Sequence, residues 1–103
     1  MKIYLSGAIT GTNDYEKRFD TYEKMLHEAY PDAKILNPVK MGEALPELSH
    51  DEYMIISFAM MDVCDYMYQI PGWEKSRGCN QERGYAFGKH IRVLPKLEIK
   101  EEP

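Results

Sequence analysis

Residues 2–11 read KIYLSGAITG, a short apolar run that passes directly into small residues and glycines. The run at 2–5 predicts a β-strand, because its isoleucine and tyrosine favour extended backbone. The residues that follow carry small side chains, so a ligand can approach the backbone closely there. The segment therefore predicts a first strand that ends in a glycine-containing loop.

The rest of the chain alternates helical and extended patterns. Apolar residues recur at spacings of three and four over residues 14–30, which predicts an amphipathic helix that Pro31 ends. Ser49 and Glu52 match the capping box that opens a helix. The remaining predictions, in chain order, are a strand at 35–36, a connection over 39–48, a helix over 50–63, a strand at 66–70, a loop over 73–78, a helix over 80–88 and a strand at 91–94.

This alternation predicts the fold class. Strands and helices that alternate in so short a chain favour a mainly parallel sheet of four to five strands with helices on both faces, a minimal Rossmann-like (flavodoxin-like) α/β domain. We expect this domain to span residues 1–95 and a charged tail to span 96–103. Ligands bind such sheets beyond the carboxyl ends of the strands, where Gly7, Asn37 and the loop after Ile70 would meet.

Composition excludes several classes of protein. The 103 residues carry a formal net charge of −4, which argues against a protein that binds a nucleic acid polymer through its phosphates. No apolar run is long enough to cross a membrane, and the N-terminus does not resemble a secretory signal, so we expect a cytoplasmic protein without a membrane partner. The two cysteines form no CxxC pair and the three histidines are scattered, so we expect no metal, and the enzyme function considered below requires no cofactor.

Two acidic residues are candidates for chemistry. Glu82 is predicted to lie in the opening turn of the last helix, where it is either a nucleophilic carboxylate or a complement to the helix terminus. Asp62 lies four residues after Phe58 on an otherwise apolar stripe, where it is either a proton donor in a cleft or a helix-end residue that binds the next loop. Both pairs of alternatives are open at this point.

Further candidates surround the predicted cleft. Tyr4 either directs its hydroxyl toward the cleft or is a core tyrosine. The loop from Trp73 to Gly78 also contains Lys75, Ser76 and Arg77, which together suit an anion site before a helix N-terminus or, equally, a solvated surface loop.

Four segments together resemble the nucleoside 2-deoxyribosyltransferase-like superfamily. They are residues 2–11, Asn37-Pro38, Met61-Asp62 with Cys64-Asp65, and PGWEKSRGCNQE at 71–82. Their order matches along nearly the whole chain, and 96–103 lie outside the match. The chain is most similar to a small branch carried by phages and bacteria, and the superfamily includes deoxynucleoside 5′-monophosphate N-glycosidases.

The resemblance implies roles for individual residues. Glu82 matches a glutamate that attacks the anomeric carbon of a deoxyribonucleoside. Asp62 matches an aspartate that assists the departing base, and Tyr4 matches a tyrosine that orients the nucleophile. The resemblance also assigns Gly7, Ala8 and Ile9 to the loop that borders base and sugar. Ser76 and Gly78 match a loop that holds a 5′-phosphate, and Lys75 and Arg77 would strengthen such binding. We place Asn37 and Trp73 among the substrate-binding residues.

Two functions follow from these observations. The first is cleavage of the N-glycosidic bond, or 2-deoxyribosyl transfer, on a nucleoside or nucleoside 5′-monophosphate through a glutamate glycosyl-enzyme. The alternative is a noncatalytic protein that senses or sequesters an adenine- or ribose-containing signal in the same cleft.

The helix over 50–63 also predicts an assembly. Its sequence leaves almost no polar face, so we expect a second copy of the chain to cover it, with Met54 and Met61 in the contact, and hence a homodimer. The alternative is that the connection 39–48 folds back over this helix.

Overall fold

The computed structural model describes residues 1–98, which form four strands and four α-helices, with two consecutive helices between the second and third strands. Their bounds are β1 Lys2–Ser6, α1 Tyr15–Ala29, β2 Lys34–Leu36, α2 Pro38–Gly42, α3 His50–Asp62, β3 Tyr66–Gln69, α4 Arg77–Gly88 and β4 Arg92–Val93, with a short 3-10 helix over Trp73–Lys75.

The four strands form one parallel sheet in the order β2-β1-β3-β4. β1 is central, because it pairs with β2 on one side and with β3 on the other. In the register of β1 and β3, Tyr4 is opposite Met67 and Ser6 is opposite Gln69. The predicted α/β fold with a parallel sheet of four to five strands is confirmed.

The two faces of the sheet carry separate apolar cores because successive strand residues point to opposite sides. Ile3 and Leu5 pack with Phe19 and Leu26 of α1 on one face. Tyr4 packs on the other face, with the residues that α3, α4 and β3 contribute, which include Met60, Met61, Met67 and Ala86. Helices therefore cover both faces, as predicted.

The structure corrects two predicted boundaries. Part of the predicted connection 39–48 is the helix α2, which begins at Pro38 because Asn37 caps it by accepting a hydrogen bond from Val39 N at 3.0 Å. The last helix begins at Arg77 rather than at residue 80, because the Ser76 hydroxyl caps it by accepting from Cys79 N at 3.2 Å. The capping box of Ser49 and Glu52 at the start of α3 is confirmed.

The beginning of the predicted tail lies against the domain. Leu97 packs on the α1-side core, and its backbone N–H donates to the Tyr68 hydroxyl at 3.2 Å. Residues 99–103 of that tail lie outside the described residues. Over residues 1–98, no helix combines the length and the apolar character that crossing a membrane requires.

Candidate active site

A cavity of about 750 Å³ opens where β1 and the loop after it meet the N-terminal end of α4. Its remaining walls come from α2 with the segment that follows it, and from α3. The cavity lies beyond the carboxyl end of the central strand, where ligands bind in open parallel sheets. Eight of the predicted site residues line it: Tyr4, Gly7, Ile9, Lys75, Ser76, Arg77, Gly78 and Glu82.

Glu82 is a buried carboxylate in the cavity wall, with 6% of its surface exposed. Tyr4 donates its hydroxyl hydrogen bond to one carboxylate oxygen, and Ser6 donates to the other at 2.9 Å. The two donors are two residues apart on β1 and therefore project from the same face of the sheet. Strand β1 thus provides two hydroxyl donors to Glu82, a helix residue nearly eighty positions later in the sequence.

The ionisation of Glu82 is displaced toward neutral pH. Burial raises its pKa to about 7, although the hydrogen bonds from Tyr4 and Ser6 act in the opposite direction by stabilising the charged form. Burial and the neighbouring carboxylate raise the pKa of Tyr4 well above its usual value, so this hydroxyl keeps its proton and remains a donor. Near neutral pH the carboxylate therefore exists in both forms, as is common for groups at active sites.

Glu82 does not lie in the opening turn of its helix, as the sequence predicted. Because Ser76 caps α4, the helix begins at Arg77 and Glu82 is its sixth residue. The charge of Glu82 is consequently supported by side-chain hydroxyls rather than by free backbone N–H groups. The alternative that Glu82 merely complements a helix terminus is excluded by this position.

The N-terminus of α4 forms one end of the cavity. The backbone N–H groups of Arg77 and Gly78 have no hydrogen-bond acceptor among residues 1–98. Ser76 and the cations Lys75 and Arg77 line the same end. Free N–H groups together with positive charge suit an anion such as phosphate.

The loop after β1 is shaped by close packing. A Cβ atom on Gly7 would lie 2.9 Å from side-chain atoms of Phe19 and Ile70, so any larger residue there would require these core side chains to shift. The carbonyl of Ala8 accepts a hydrogen bond from Arg18, and Ala8 is not part of the cavity wall, whereas Ile9 lines it. The predicted loop therefore contributes Gly7 and Ile9 to the cavity but not Ala8.

The structure does not bring Asp62 to the cavity. It is the last residue of α3, its side chain is 45% exposed, and it accepts a hydrogen bond from the Tyr85 hydroxyl at 2.5 Å. Lys89 approaches the same carboxylate at 3.9 Å. Of the two alternatives for Asp62, the structure favours the helix-end residue that contacts a neighbouring element over the proton donor in a cleft.

Asn37 and Trp73 also lie outside the cavity wall. Asn37 caps α2, and its Nδ2 atom is buried without a hydrogen-bond partner among the described residues. Trp73 lines a separate groove of about 420 Å³ and stacks against the guanidinium of Arg83, whose central carbon lies 4.5 Å from the ring centroid. Neither residue is therefore placed to contact a ligand in the main cavity.

Several site residues were not predicted from the sequence. Ser6 was overlooked, although strand alternation places it on the same face as Tyr4. Ser57 of α3 lines the cavity and lies near the Tyr4 side chain. The apolar wall from α2 and its following segment includes Met41, Leu45 and Leu48. The Asn37-Pro38 pair was the signal for α2, because an N-cap residue followed by proline is typical of a helix start.

The cavity shows no arrangement for a metal. Among residues 1–98, no three histidine, cysteine, aspartate or glutamate side chains converge as a metal site would require. Cys64 and Cys79 are buried free thiols, and burial is the main reason that the pKa of each is raised. These thiols are therefore protonated near neutral pH.

Comparisons with known proteins agree with this architecture. The model of the family described as "Domain of unknown function (DUF4406)" matches residues 1–94. No curated protein matches the chain. A solved structure of a 2-deoxyribosyltransferase from Bacillus psychrosaccharolyticus is similar at a TM-score of 0.68 and 18% identity, over 98% of this chain and 77% of that chain. At this identity the likeness shows a shared fold.

Proposed function

The chain belongs to the family described as a domain of unknown function, DUF4406, and we propose that it cleaves or transfers the N-glycosidic bond of a nucleoside or nucleoside 5′-monophosphate. The observation that carries this proposal is the buried Glu82 carboxylate in the cavity wall, with a hydroxyl donor on each oxygen. A carboxylate held in this way suits attack on an anomeric carbon through an oxocarbenium-like transition state.

The proposed reaction has two steps. An oxygen of ionised Glu82 forms a bond to C1′ of the sugar, while the C1′–N bond breaks and its electron pair leaves with the base, which takes up a proton from water. Water or a second base then attacks C1′, and the carboxylate leaves as the acceptor loses its proton. Tyr4 and Ser6 orient the nucleophile, because each fixes one carboxylate oxygen.

We infer that a 5′-phosphate binds at the N-terminus of α4. The free N–H groups of Arg77 and Gly78 and the side chains of Ser76 and Lys75 lie at one end of the cavity, and Glu82 follows in the second turn of the same helix. This spacing supports a substrate whose phosphate and sugar span consecutive helical turns. It also supports the kinship with monophosphate N-glycosidases that the sequence predicted.

A panel of deoxynucleosides, ribonucleosides and their 5′-monophosphates, assayed for free base, tests the proposed function. We expect base release, faster for deoxyribose than for ribose substrates and faster with a 5′-phosphate. The double variant Lys75→Ala/Arg77→Ala should raise KM for monophosphates about tenfold and leave nucleosides nearly unchanged. Equal effects on both substrate classes would refute the phosphate site.

One observation favours the noncatalytic alternative. Asp62, the predicted acid for the leaving base, lies outside the cavity. A cleft without that acid suits a protein that binds a nucleotide without cleaving it. Calorimetric binding of a monophosphate together with no release of base over hours would establish this second function.

A further inference from the structure

The amide of Gln69 connects the Glu82 site to the opposite side of α4. Gln69 is the last residue of β3, it is buried, and it lies opposite Ser6 in the sheet register. Its Nε2 atom donates to the backbone carbonyl of Cys79 at 2.9 Å and to the Ser6 hydroxyl at 3.4 Å. Its Oε1 atom accepts from Arg83 Nη1 at 2.9 Å.

Arg83 determines which way this amide points. A guanidinium can only donate hydrogen bonds, so the amide atom that faces Arg83 must be the oxygen. The amide nitrogen therefore faces Cys79 O and Ser6, and both of its protons have acceptors. The reverse orientation would set the amide nitrogen against the guanidinium and leave the Cys79 carbonyl without this donor.

The orientation of the Gln69 amide in turn determines which acceptor receives the hydrogen bond from the Ser6 hydroxyl. A serine hydroxyl has one proton, and here it accepts from Gln69 with its oxygen. The proton is thereby directed to Glu82 Oε1 at 2.9 Å. The Cys79 sulfur also lies near Ser6 and is a weak alternative acceptor for the serine proton if Gln69 does not hold the serine oxygen in place.

Two aromatic rings hold Arg83 at the outer end of this chain of hydrogen bonds. Its guanidinium carbon lies 4.5 Å from the Trp73 ring centroid and 5.4 Å from that of Phe87. Stacking of this kind restricts a side chain that would otherwise sample many rotamers. Trp73 thus acts on the carboxylate site through Arg83 and not by contact with a ligand in the cavity.

We propose that Gln69 and Arg83 are positioning residues that direct the Ser6 proton toward Glu82, an inference that deepens the proposed function and rests on it for its catalytic meaning. Removal of either residue lets the Ser6 hydroxyl rotate away. The Glu82 carboxylate then loses one of the two donors that stabilise its charge, while Tyr4 continues to donate.

Other charged groups also face Glu82 from the elements around it. Tyr4 on β1 and Cys79 on α4 are the nearest titratable side chains. Across the cavity lie Glu16 of α1, Glu43 after α2 and His50 of α3, and the cations Lys75 and Arg77 flank the start of α4. The substitutions below leave all of these groups unchanged, so a change in Glu82 titration comes either from the Gln69 hydrogen bonds or from the charge that the substitution itself adds or removes.

The test is a carbon-13 NMR titration of the Glu82 side-chain carboxyl, identified as the signal that Glu82→Gln removes. This measurement does not depend on turnover, so the inference can fail or hold separately from the proposed function. Gln69→Glu preserves shape and the pairing with Arg83, but it replaces the donor to Ser6 with an acceptor. We expect its titration midpoint to rise by about one pH unit.

Three further variants make the result specific. Arg83→Met should raise the midpoint by about half a pH unit, whereas Arg83→Lys should keep it near the parent value. Arg92→Met removes an exposed arginine of β4 with the same change in charge and should leave the midpoint within about 0.2 pH unit. Arg83 is only partly buried, so we expect its variants to fold and to test the inference even if Gln69→Glu does not fold.

A Ser6→Ala background decides whether the effect passes through Ser6. In that background Arg83→Met should change the midpoint by less than about 0.3 pH unit, since the hydroxyl that Arg83 helps to direct is gone, and whatever shift Gln69→Glu keeps measures the direct effect of its added carboxylate. Equal shifts with and without Ser6 would show a through-space charge effect and would overturn the inference, as would an unchanged midpoint in Arg83→Met. If base release is found, kcat at pH 6 should fall about tenfold in Gln69→Glu with KM nearly constant.

Discussion

Tyr4 and Glu82 lie 78 residues apart in the sequence and are joined by a buried hydrogen bond from the tyrosine hydroxyl to the carboxylate. The central strand and the last helix thereby hold one ionisable group between them. Burial raises the pKa of this group whereas the hydroxyls of Tyr4 and Ser6 lower it, so loss of either hydroxyl should raise the pKa further.

Glu82→Gln should abolish base release while preserving the fold. The amide has nearly the shape of the carboxylate but cannot attack the anomeric carbon, so we expect kcat to fall at least about 1,000-fold. Glu74→Gln, in the exposed 3-10 helix outside the cavity, is the matched control. A Glu82→Gln rate within a few-fold of the parent, with circular dichroism unchanged, would remove Glu82 as the nucleophile.

Tyr4→Phe should shift the pH dependence of turnover to higher pH. The nucleophile must be ionised, so the rate rises as pH increases through the pKa of Glu82, which is about 7. Loss of the tyrosine donor raises that pKa further, and we expect the acid limb of the kcat profile to move up by about one pH unit. An acid limb that stays in place would contradict the role of Tyr4 in stabilising the charge.

Glu82 should also make the stability of the protein depend on pH. Its pKa rises from the 4.5 usual for a solvated glutamate to about 7, so between these values the folded protein holds a proton that the unfolded chain has released. The free energy of unfolding therefore falls as pH rises through this window. Urea unfolding at pH 4 and pH 8 should show a fall about 3 kcal/mol larger in the parent than in Glu82→Gln. Equal falls would mean that the pKa is not raised.

Asp62→Asn should leave turnover within about threefold of the parent, because this side chain contacts Tyr85 and Lys89 rather than the cavity. The free energy of unfolding should change little, since the contact is exposed. A large loss of kcat with a flattened limb of the pH profile would instead restore Asp62 as the proton donor that the sequence resemblance implied.

We predict a homodimer through α3, with a contact different from the one first expected. Met54 and Met61 are buried within the chain, whereas Ile55 and Val63 are 68% and 55% exposed. Light scattering at micromolar concentration should give twice the monomer mass of 12.0 kDa. Ile55→Lys should return the mass to that of a monomer, while Thr21→Lys on α1 should not. A monomer mass at every concentration would exclude the dimer.

The sequence was most informative where structure is determined locally. The strand at β1, the capping box of Ser49 and Glu52 and the proline after α1 each depend on residues within a few positions, and each prediction was close. Glu82 and Tyr4 were both identified as candidates. Their proximity depends on the register of the parallel strands. The alternation of strands and helices predicts a parallel sheet but not this register.

Predictions from the sequence were wrong or missing where several contacts compete for one side chain. Asp62 lies on an apolar stripe, but its place at the end of α3 lets it turn outward to Tyr85. Ser76 was assigned to a loop before the last helix, whereas its hydroxyl caps that helix by accepting a hydrogen bond from Cys79 N. The orientation of Gln69 could not be predicted, because it depends on an arginine fourteen residues away.

The parallel pairing of β1 with β3 also restricts when the site can form during folding. Tyr4 and Ser6 share one face of β1, so a slip of one residue against β3 would turn both hydroxyls toward α1. Their strand is synthesised well before its partner at 66–69 and before Glu82. The carboxylate site can therefore assemble only after all three segments have left the ribosome, and correct register is a condition for any Glu82 chemistry.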